Sequence, residues 1–186
     1  MAVLEAGLEH VRSSPSDHGR LELIVARPVP AQREVLSEAA LDAESGLVGD
    51  GWRVRPSRRS VDGTPEPNRQ VTIMNARAAL LLAGDPARIP LAGDQLYVDL
   101  DLSPTNLPTG TRLVLGRAVV EITPEPHLGC QKFKDRFGDE AMRFVNGPVG
   151  RGLRLRGVNA RVVVAGTVTV GDTVAKDRTF CAALGA

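Results

Sequence analysis

Cysteine is scarce in this sequence: only Cys130 and Cys181 occur among its 186 residues. Two thiols cannot form a four-thiolate zinc site, and they are too few to suggest the disulfide framework of a small secreted protein. The three histidines add no cluster with the spacing of zinc ligands. These absences favour a protein of the reduced cytoplasm, and each thiol has to be explained on its own.

Long hydrophobic runs and an excess of charge of one sign are also missing. The longest apolar stretches, near residues 78–83 and 162–165, are far too short to cross a bilayer. Charged residues interrupt the first fourteen positions, so we expect no secretion signal there. Basic and acidic side chains number 23 and 22, which gives a formal net charge of +1. We therefore expect no binding to nucleic acid or to membranes, and any anion site must be local.

Proline and glycine, by contrast, are frequent and separate many short apolar runs. This pattern predicts a mainly β (α+β) fold with a few helices. The length and the hydrophobic fraction of 42% suit a single domain over residues 1–186, with a strand and a helix in residues 1–45 and a tail at 175–186. We predict strands at residues 21–26, 70–74, 95–100, 112–115, 118–123, 153–158, 161–164 and 167–170.

Three segments carry apolar residues at helical spacing: residues 33–43, 76–82 and 131–145. In the second segment, Asn75 is placed to cap the first turn and Gly84 to end the helix. In the third, apolar residues recur every four positions, which predicts one buried face. That helix should pack against the predicted strands and thereby fix the direction of Cys130, the residue that precedes it.

Cys130 is the leading candidate for a reactive group because it lies between a predicted strand and this helix. A thiol acts as a nucleophile or sulfur carrier in its thiolate form, which cationic neighbours and helix N-termini stabilise. Lys132 and His127 are close enough in sequence to stabilise that charge, and Gly129 allows close approach of the backbone. The alternative is that Cys130 is a small buried apolar residue, as free cysteines often are.

His127 is a second candidate catalytic residue, three positions before Cys130. Imidazole titrates near neutral pH, so His127 could act as a base toward the thiol or as a metal ligand. It also follows Pro126 on a predicted turn, and we favour the interpretation that it is a histidine in contact with solvent.

Two groups of basic residues suggest anion binding. Guanidinium groups bind phosphate or carboxylate in a bidentate manner, and a phosphorylated pterin would suit such a group. The alternative is a solvated surface loop, because the segment 53–68 is rich in arginine and proline and poor in apolar residues. The first group is Arg53, Arg55, Arg58, Arg59 and Arg69, and the second is Arg151, Arg154 and Arg156.

Five short motifs follow one another along the chain, and their order is informative. They are Gly-Leu-Val-Gly-Asp at 46–50, Asn-Arg-Gln-Val-Thr-Ile at 68–73, Leu-Ser-Pro-Thr-Asn-Leu-Pro-Thr-Gly at 102–110, the Cys130 segment, and Gly-Thr-Val-Thr-Val-Gly-Asp at 166–172. Each motif alone is weak, but in this order around one cysteine the sequence resembles the MOSC domain, the molybdenum-cofactor sulfurase C-terminal domain, in its stand-alone bacterial form. The resemblance spans residues 46–174.

The resemblance implies a β-barrel with peripheral helices and a pocket for a molybdenum cofactor (molybdopterin) or a sulfur-bearing species. It also implies that Cys130 carries sulfur as a persulfide or ligates the metal. Two departures concern the pocket: residues 51–55 lack the histidines that many members place there, and Pro104-Thr105 replaces a frequent acidic residue. The residues expected to bind the ligand are Asp50, Arg53, Arg55, Arg69, Asn106 and Lys132.

Three functions are compatible with this sequence. The first is a sulfur carrier or sulfur-transfer protein that acts through Cys130 on a molybdenum-cofactor-like ligand, with a sulfur-donor protein as its partner. The second is a non-catalytic barrel that holds a cofactor or a partner. The third is a small-molecule lyase or hydrolase that uses Cys130 with His127. The sequence leaves a homodimer open in all three cases.

Overall fold

The computed structural model describes residues 1–57 and 60–178. Its strands are β1 (Gly19–Ala26), β2 (Glu34–Leu36), β3 (Glu38–Asp42), β4 (Gly46–Leu47), β5 (Val71–Asn75), β6 (Leu96–Asp99), β7 (Arg112–Leu115), β8 (Ala118–Ile122), β9 (Val158–Val164), β10 (Gly166–Thr169) and β11 (Thr173–Lys176). Its helices are α1 (Ala2–Ala6), α2 (Leu8–Arg12), α3 (Ala76–Ala83), α4 (Gln131–Asn146) and α5 (Pro148–Gly152), with 3₁₀ turns at Pro67–Arg69 and Pro86–Ala92.

Seven of these strands close into a mixed β-barrel. Their order around the ring is β11, β7, β8, β9, β5, β6 and β1, and β1 returns to β11 through the pair Gly19 and Val174. All neighbours are antiparallel except β5 and β6, which are parallel and joined by the crossover through α3. β10, β3 and β4 form a separate small sheet. The predicted mainly β fold with a few helices is therefore confirmed.

Two apolar clusters hold these elements together. One fills the barrel, where alternate residues of β8 point inward: Ala118, Val120 and Ile122 are buried. The other lies between the barrel wall and the helices, where Phe133 and Phe144 of α4 join residues of α3 and of the wall. Burial of this second cluster presses α4 against the barrel and so fixes the position of its first turn.

The predicted helix over residues 33–43 is wrong, because this segment forms β2 and β3. Its apolar spacing fits a helix, but Ala39 and Leu41 also alternate with exposed neighbours, as in a strand. β3 pairs along its length with β10, which lies far away in the sequence, and this pairing supplies its backbone hydrogen bonds. Gly46, which follows this segment, lies in β4 with a φ of +74°.

The strand predicted at residues 153–158 is also wrong. This segment is mostly a turn in which Arg154 has a φ of +48°, and β9 begins only at Val158. The predicted helix at 76–82 is confirmed, and the one at 131–145 is confirmed except for a kink at Gly138, whose φ is +86°. Asn75 caps α3 by accepting a hydrogen bond from the Ala78 amide, and Gly84 ends it with a φ of +68°. None of the helices in the described ranges has the length and apolarity that crossing a membrane requires.

Candidate functional site

Cys130 is the N-cap residue of α4, directly before Gln131, where the chain changes from extended to helical conformation. Its backbone is extended, with φ −119° and ψ 176°, and its carbonyl accepts hydrogen bonds from the amides of Phe133 and Lys134. Its thiol makes no capping hydrogen bond, and the residue is exposed. The interpretation of Cys130 as a buried apolar residue is therefore wrong, and the thiol is accessible.

The segment that carries Cys130 is tied to the far end of the same helix. The Gly129 amide donates to Asn146 Oδ1 at 2.9 Å, and Asn146 Nδ2 donates to the Gly129 carbonyl at 3.1 Å. A Cβ atom at position 129 would lie 2.8 Å from Met142 Sδ and 3.0 Å from Val145 Cγ2. Glycine therefore allows this close approach, which sets the position of the next residue, Cys130.

A cavity of about 220 Å³ opens in front of Cys130. His127 also lines it, together with apolar residues of the loop after β1 and of α4. None of its lining residues in the described chain is acidic. We call it the cationic cavity, because six basic side chains line it: Arg27, Arg33, Arg55, Lys132, Arg136 and Arg156.

Arg27 is paired with the carboxylate of Asp50, which is fully buried and does not itself line the cavity. Asp50 Oδ2 accepts from Arg27 Nε at 2.8 Å, and Asp50 Oδ1 accepts from Arg27 Nη2 at 3.1 Å. The remaining lone pairs of Asp50 accept from the amides of Arg27 and Trp52. The carboxylate of Asp50 thus accepts four hydrogen bonds from within the protein, and it orients Arg27 toward the cationic cavity.

Arg156 is paired in the same way with Asp94, whose side chain is fully buried. Its Nη1 donates to Asp94 Oδ2 and its Nη2 to the Ala92 carbonyl, while its guanidinium carbon lies 5.1 Å from the centre of the Phe133 ring. The next residue, Gly157, has a φ of +99°, and a Cβ atom there would collide with the main-chain oxygen of Ile73. Glycine therefore lets the segment of Arg156 lie directly against β5.

The other four basic side chains have no carboxylate within ion-pair distance in residues 1–57 and 60–178. Arg33 Nε donates to the Pro90 carbonyl at 3.2 Å, and Arg136 Nη1 donates to the Leu91 carbonyl at 2.8 Å. Both guanidinium groups flank Gly93, where a Cβ atom would lie 3.3 Å from Arg33 Nη2 and 3.5 Å from Arg136 Nη1. Arg55 Nη2 lies 3.4 Å from the Arg27 carbonyl. As far as the described residues go, these groups therefore have no counter-charge of their own.

The crowding of positive charge lowers the pKa of two arginines. Burial lowers the pKa of Arg33, and repulsion from Arg136 and Arg27 lowers it further. Burial and the charge of Arg27 lower the pKa of Arg55. Both shifts have the direction that a bound anion would reverse, because an anion favours the charged form of each guanidinium.

His127 lies beside the buried pair of Asp94 and Arg156. Its Nδ1 is 3.4 Å from Asp94 Oδ1, and its side chain is only 14% exposed. Burial and the charge of Arg156 lower the pKa of His127 to about 3, although Asp94 opposes the shift. The imidazole is therefore neutral at neutral pH. Within the described ranges, Asp94 Oδ1, His127 Nδ1 and Arg156 Nε make no hydrogen bond.

Two further cavities adjoin the cationic cavity. His127 and Arg156 also line a cavity of about 340 Å³ on their other side, where Arg151 and Arg154 approach. Arg55 also lines a cavity of about 390 Å³ beside Trp52. The cationic cavity thus shares part of its lining with each of two neighbouring cavities.

The structure brings four of the predicted site residues together: Cys130, His127, Arg55 and Lys132 line the cationic cavity. Arg69 lies in the cavity beside Trp52 and is paired with Glu66 and Glu125.

Three predicted ligand-binding residues lie elsewhere. Asp50 is buried behind Arg27. Arg53 is exposed and paired with Glu44 at 3.2 Å. Asn106 is bound to the Ser16 and Asp101 carbonyls and to Lys176 Nζ. Arg58, Arg59 and Cys181 lie outside the described residues.

Three of the six basic residues that line the cavity, and the buried Asp94 beside it, were not among the candidates predicted from the sequence. Arg27 follows an apolar strand and shows no motif, and Arg33 was included in a predicted helix. Arg136 carried a usable signal, because it lies four positions after Lys132 on the polar face of α4. Asp94 carried none, since its role depends on a partner 62 positions away.

The fold has relatives among solved structures. A hypothetical protein superposes with a TM-score of 0.58 and 20% identity over 86% of this chain and 68% of that one. The YuaD protein of Bacillus subtilis gives 0.56 and 16%, over 84% and 93% of the two chains. YiiM of Escherichia coli gives 0.54 and 21%, over 84% and 69%.

The chain shares the fold of YiiM. YiiM is a MOSC-domain protein, and what this chain shares with it is the barrel fold. At these identities the likeness concerns the fold alone. No protein-family model matches the sequence, and no curated protein matches it significantly.

Proposed function

We propose that this chain is a sulfur-carrier protein in which Cys130 holds a sulfur atom beside an anionic ligand of the molybdenum-cofactor type. The observation that supports it most directly is that an exposed thiol and six basic side chains line one cavity. A persulfide is anionic, so positive neighbours favour it as they favour a thiolate. The MOSC-type barrel and the sequence motifs around Cys130 agree with this function.

The residues of the cavity fit an anionic cofactor. Arg33 and Arg136 could bind phosphate oxygens, and the thiol of Cys130 is a soft ligand suited to a transition metal. A volume of about 220 Å³ is smaller than most small-molecule sites, so the cationic cavity would receive the anionic end of the ligand. The cavity beside Trp52 would receive the rest, with Arg55 lining both. When bound, the molybdenum cofactor would supply metal–sulfur chemistry.

His127 fits this function better as a neutral hydrogen-bonding group than as a base. With a pKa of about 3, its imidazole does not retain a proton taken from a thiol at neutral pH. A lyase or hydrolase built on a Cys130–His127 ion pair is therefore less well supported. A purely binding role for the barrel remains the alternative that the next experiment distinguishes.

The test is mass spectrometry of the intact protein purified without reductant, before and after treatment with polysulfide. With Cys181→Ser as the background, so that Cys130 is the one thiol in the chain, we expect Cys130 to gain one sulfur atom and Cys130→Ser to gain none. Metal analysis and pterin fluorescence after oxidation report the ligand in both proteins. Retained pterin without sulfur on Cys130 would indicate the purely binding role. The absence of both would contradict the proposed function.

A further inference from the structure

The six basic side chains of the cationic cavity carry more positive charge than the two buried carboxylates paired with them can neutralise. Asp50 and Asp94 account for Arg27 and Arg156, whereas Arg33, Arg55, Lys132 and Arg136 have no carboxylate partner in the described part of the chain. Arg33 and Arg136 approach each other across Gly93. Holding like charges this close costs free energy unless an anion joins them. The arrangement therefore predicts a ligand with more than one negative charge.

A second observation, independent of the thiol, also indicates a ligand here. The side chain of Arg156 is only 7% exposed, and it lines the cationic cavity. Its Nε makes no hydrogen bond within the described residues, and neither do the neighbouring His127 Nδ1 and Asp94 Oδ1. His127 Nδ1 and Asp94 Oδ1 lie 3.4 Å apart, so the group left without a polar partner in the described chain is Nε of Arg156, a cation that lines the cavity.

The size of the cavity limits what this anion can be. About 220 Å³ lies below the usual range of small-molecule sites, so a compact dianion suits it better than a nucleotide or a whole pterin. The nearest reactive group is the thiol of Cys130, which needs a source of sulfur if it is a carrier. A compact dianion that contains transferable sulfur meets both requirements.

We propose that the cationic cavity binds a sulfur oxyanion with a sulfane sulfur, of which thiosulfate is the simplest, and that Cys130 takes its sulfur from it. This inference rests on the proposed function, because it specifies the donor for the same thiol. A small-molecule donor would replace the sulfur-donor protein expected from the sequence. The small-molecule donor would enter the same cavity as the anionic end of a cofactor, so donor and cofactor would compete for binding.

The reaction balances without a further oxidant or reductant. The Cys130 thiol loses its proton to water, and the thiolate attacks the outer sulfur of thiosulfate. A new S–S bond forms at Cys130 while the S–S bond of thiosulfate breaks, and sulfite leaves with the electron pair. The products are a Cys130 persulfide and sulfite, and the total charge is unchanged. Arg33 and Arg136 bind the oxyanion before the step and stabilise the leaving sulfite after it.

The experiment uses the full chain, reduced and then freed of reductant. Thiosulfate is added, and sulfite release is measured together with the mass of the intact protein. We expect sulfite and persulfide in equal amounts, and thiocyanate on addition of cyanide. Cys130→Ser should give none of these products.

The double variant Arg33→Gln/Arg136→Gln tests the cavity itself. It should react with thiosulfate at least about tenfold more slowly, since two charge-assisted contacts are lost. Alkylation of Cys130 by iodoacetamide, a neutral reagent, should change far less. Arg143→Gln is the matched control, because Arg143 is exposed on α4 and does not line the cavity; it should leave both reactions unchanged.

The outcomes separate the two proposals. If polysulfide loads Cys130 but thiosulfate does not, the proposed function stands and this inference is overturned. If the double variant reacts with thiosulfate as fast as the natural sequence does, the inference is also overturned. If neither reagent puts sulfur on Cys130, the sulfur-carrier function and the inference fail together.

Discussion

Asp50 binds Arg27 with both of its carboxylate oxygens, at 2.8 Å to Nε and 3.1 Å to Nη2. The Asp50 side chain is fully buried and that of Arg27 is 11% exposed, and Asp50 also accepts hydrogen bonds from two main-chain amides. The Gly-Asp turn at residues 49–50 thus contributes to the site indirectly. Its carboxylate does not line the cavity but positions a cation that does.

We expect Asp50→Ala to lower the free energy of unfolding by about 3–5 kcal/mol, because it leaves the Arg27 guanidinium buried without its counter-charge. Urea unfolding measures this loss. Arg53→Ala is the control, since Arg53 forms an exposed pair with Glu44 and should cost at most about 1 kcal/mol. Similar losses in the two variants would show that the Asp50–Arg27 pair is not structurally important.

Arg136→Gln should separate anion binding from stability. The variant loses a hydrogen bond to the Leu91 carbonyl but relieves repulsion with Arg33, so its stability in low salt should change by no more than about 1 kcal/mol. Sulfate should raise the Tm of the natural protein more than that of the variant, because a ligand stabilises the state that binds it. Thermal unfolding at increasing sulfate concentration measures both effects, with Arg143→Gln as control. An equal response to sulfate in the variant would contradict anion binding here.

His127 should make the protein less stable in mild acid. In the unfolded chain a histidine binds a proton near pH 6.5, whereas burial and Arg156 lower the pKa of His127 to about 3 in the folded state. Between these values the unfolded state binds more protons, so stability falls as the pH is lowered through this window. The slope from this one group reaches about 1.4 kcal/mol per pH unit.

His127→Gln should remove this part of the pH dependence. Urea unfolding between about pH 6 and pH 4 should show a shallower loss for His127→Gln than for the natural sequence. His10→Gln is the control, because His10 is exposed. Parallel pH profiles for the natural protein and His127→Gln would show that His127 is not buried in its neutral form.

Gly129→Ala should disturb the position of Cys130. The added Cβ would lie 2.8 Å from Met142 Sδ, so the segment or the helix must move, and we expect a loss of about 1–3 kcal/mol in stability. Formation of the persulfide should slow, because the thiol leaves its place in the cavity. Gly152→Ala is the control, since a Cβ there meets nothing within 4 Å. Unchanged stability and persulfide formation in Gly129→Ala would contradict the role given to this glycine.

Some elements were predictable because their signals are local. The apolar strands β1, β5 and β8 are bounded by turn residues, and α3 has both its cap, Asn75, and its stop, Gly84. The segment 33–43 was not predictable in the same way. Its residues fit a helix by spacing, and only pairing with β10, more than a hundred positions later, decides for a strand.

The residues of the candidate site also divide into those that local signals predict and those that only tertiary contacts decide. Cys130 could be placed at the start of a helix from the sequence, and Lys132 and Arg136 share one face of that helix. Arg53 and Arg55 are two positions apart and equally basic, yet one is paired with Glu44 in solvent and the other lines the cavity. No local pattern separates them, because the difference lies in what each side chain meets in space.

The sequence by itself determined that short strands would dominate, that an amphipathic helix would follow residue 130, and that a thiol would stand at its start. These properties depend on the spacing of apolar residues and on caps and turns, which act over a few positions. Only the tertiary structure decided which basic residues face Cys130 and which are neutralised. Barrel closure joins Arg27, Arg136 and Arg156 from distant parts of the chain, and the strength of a charge interaction depends on distance and burial.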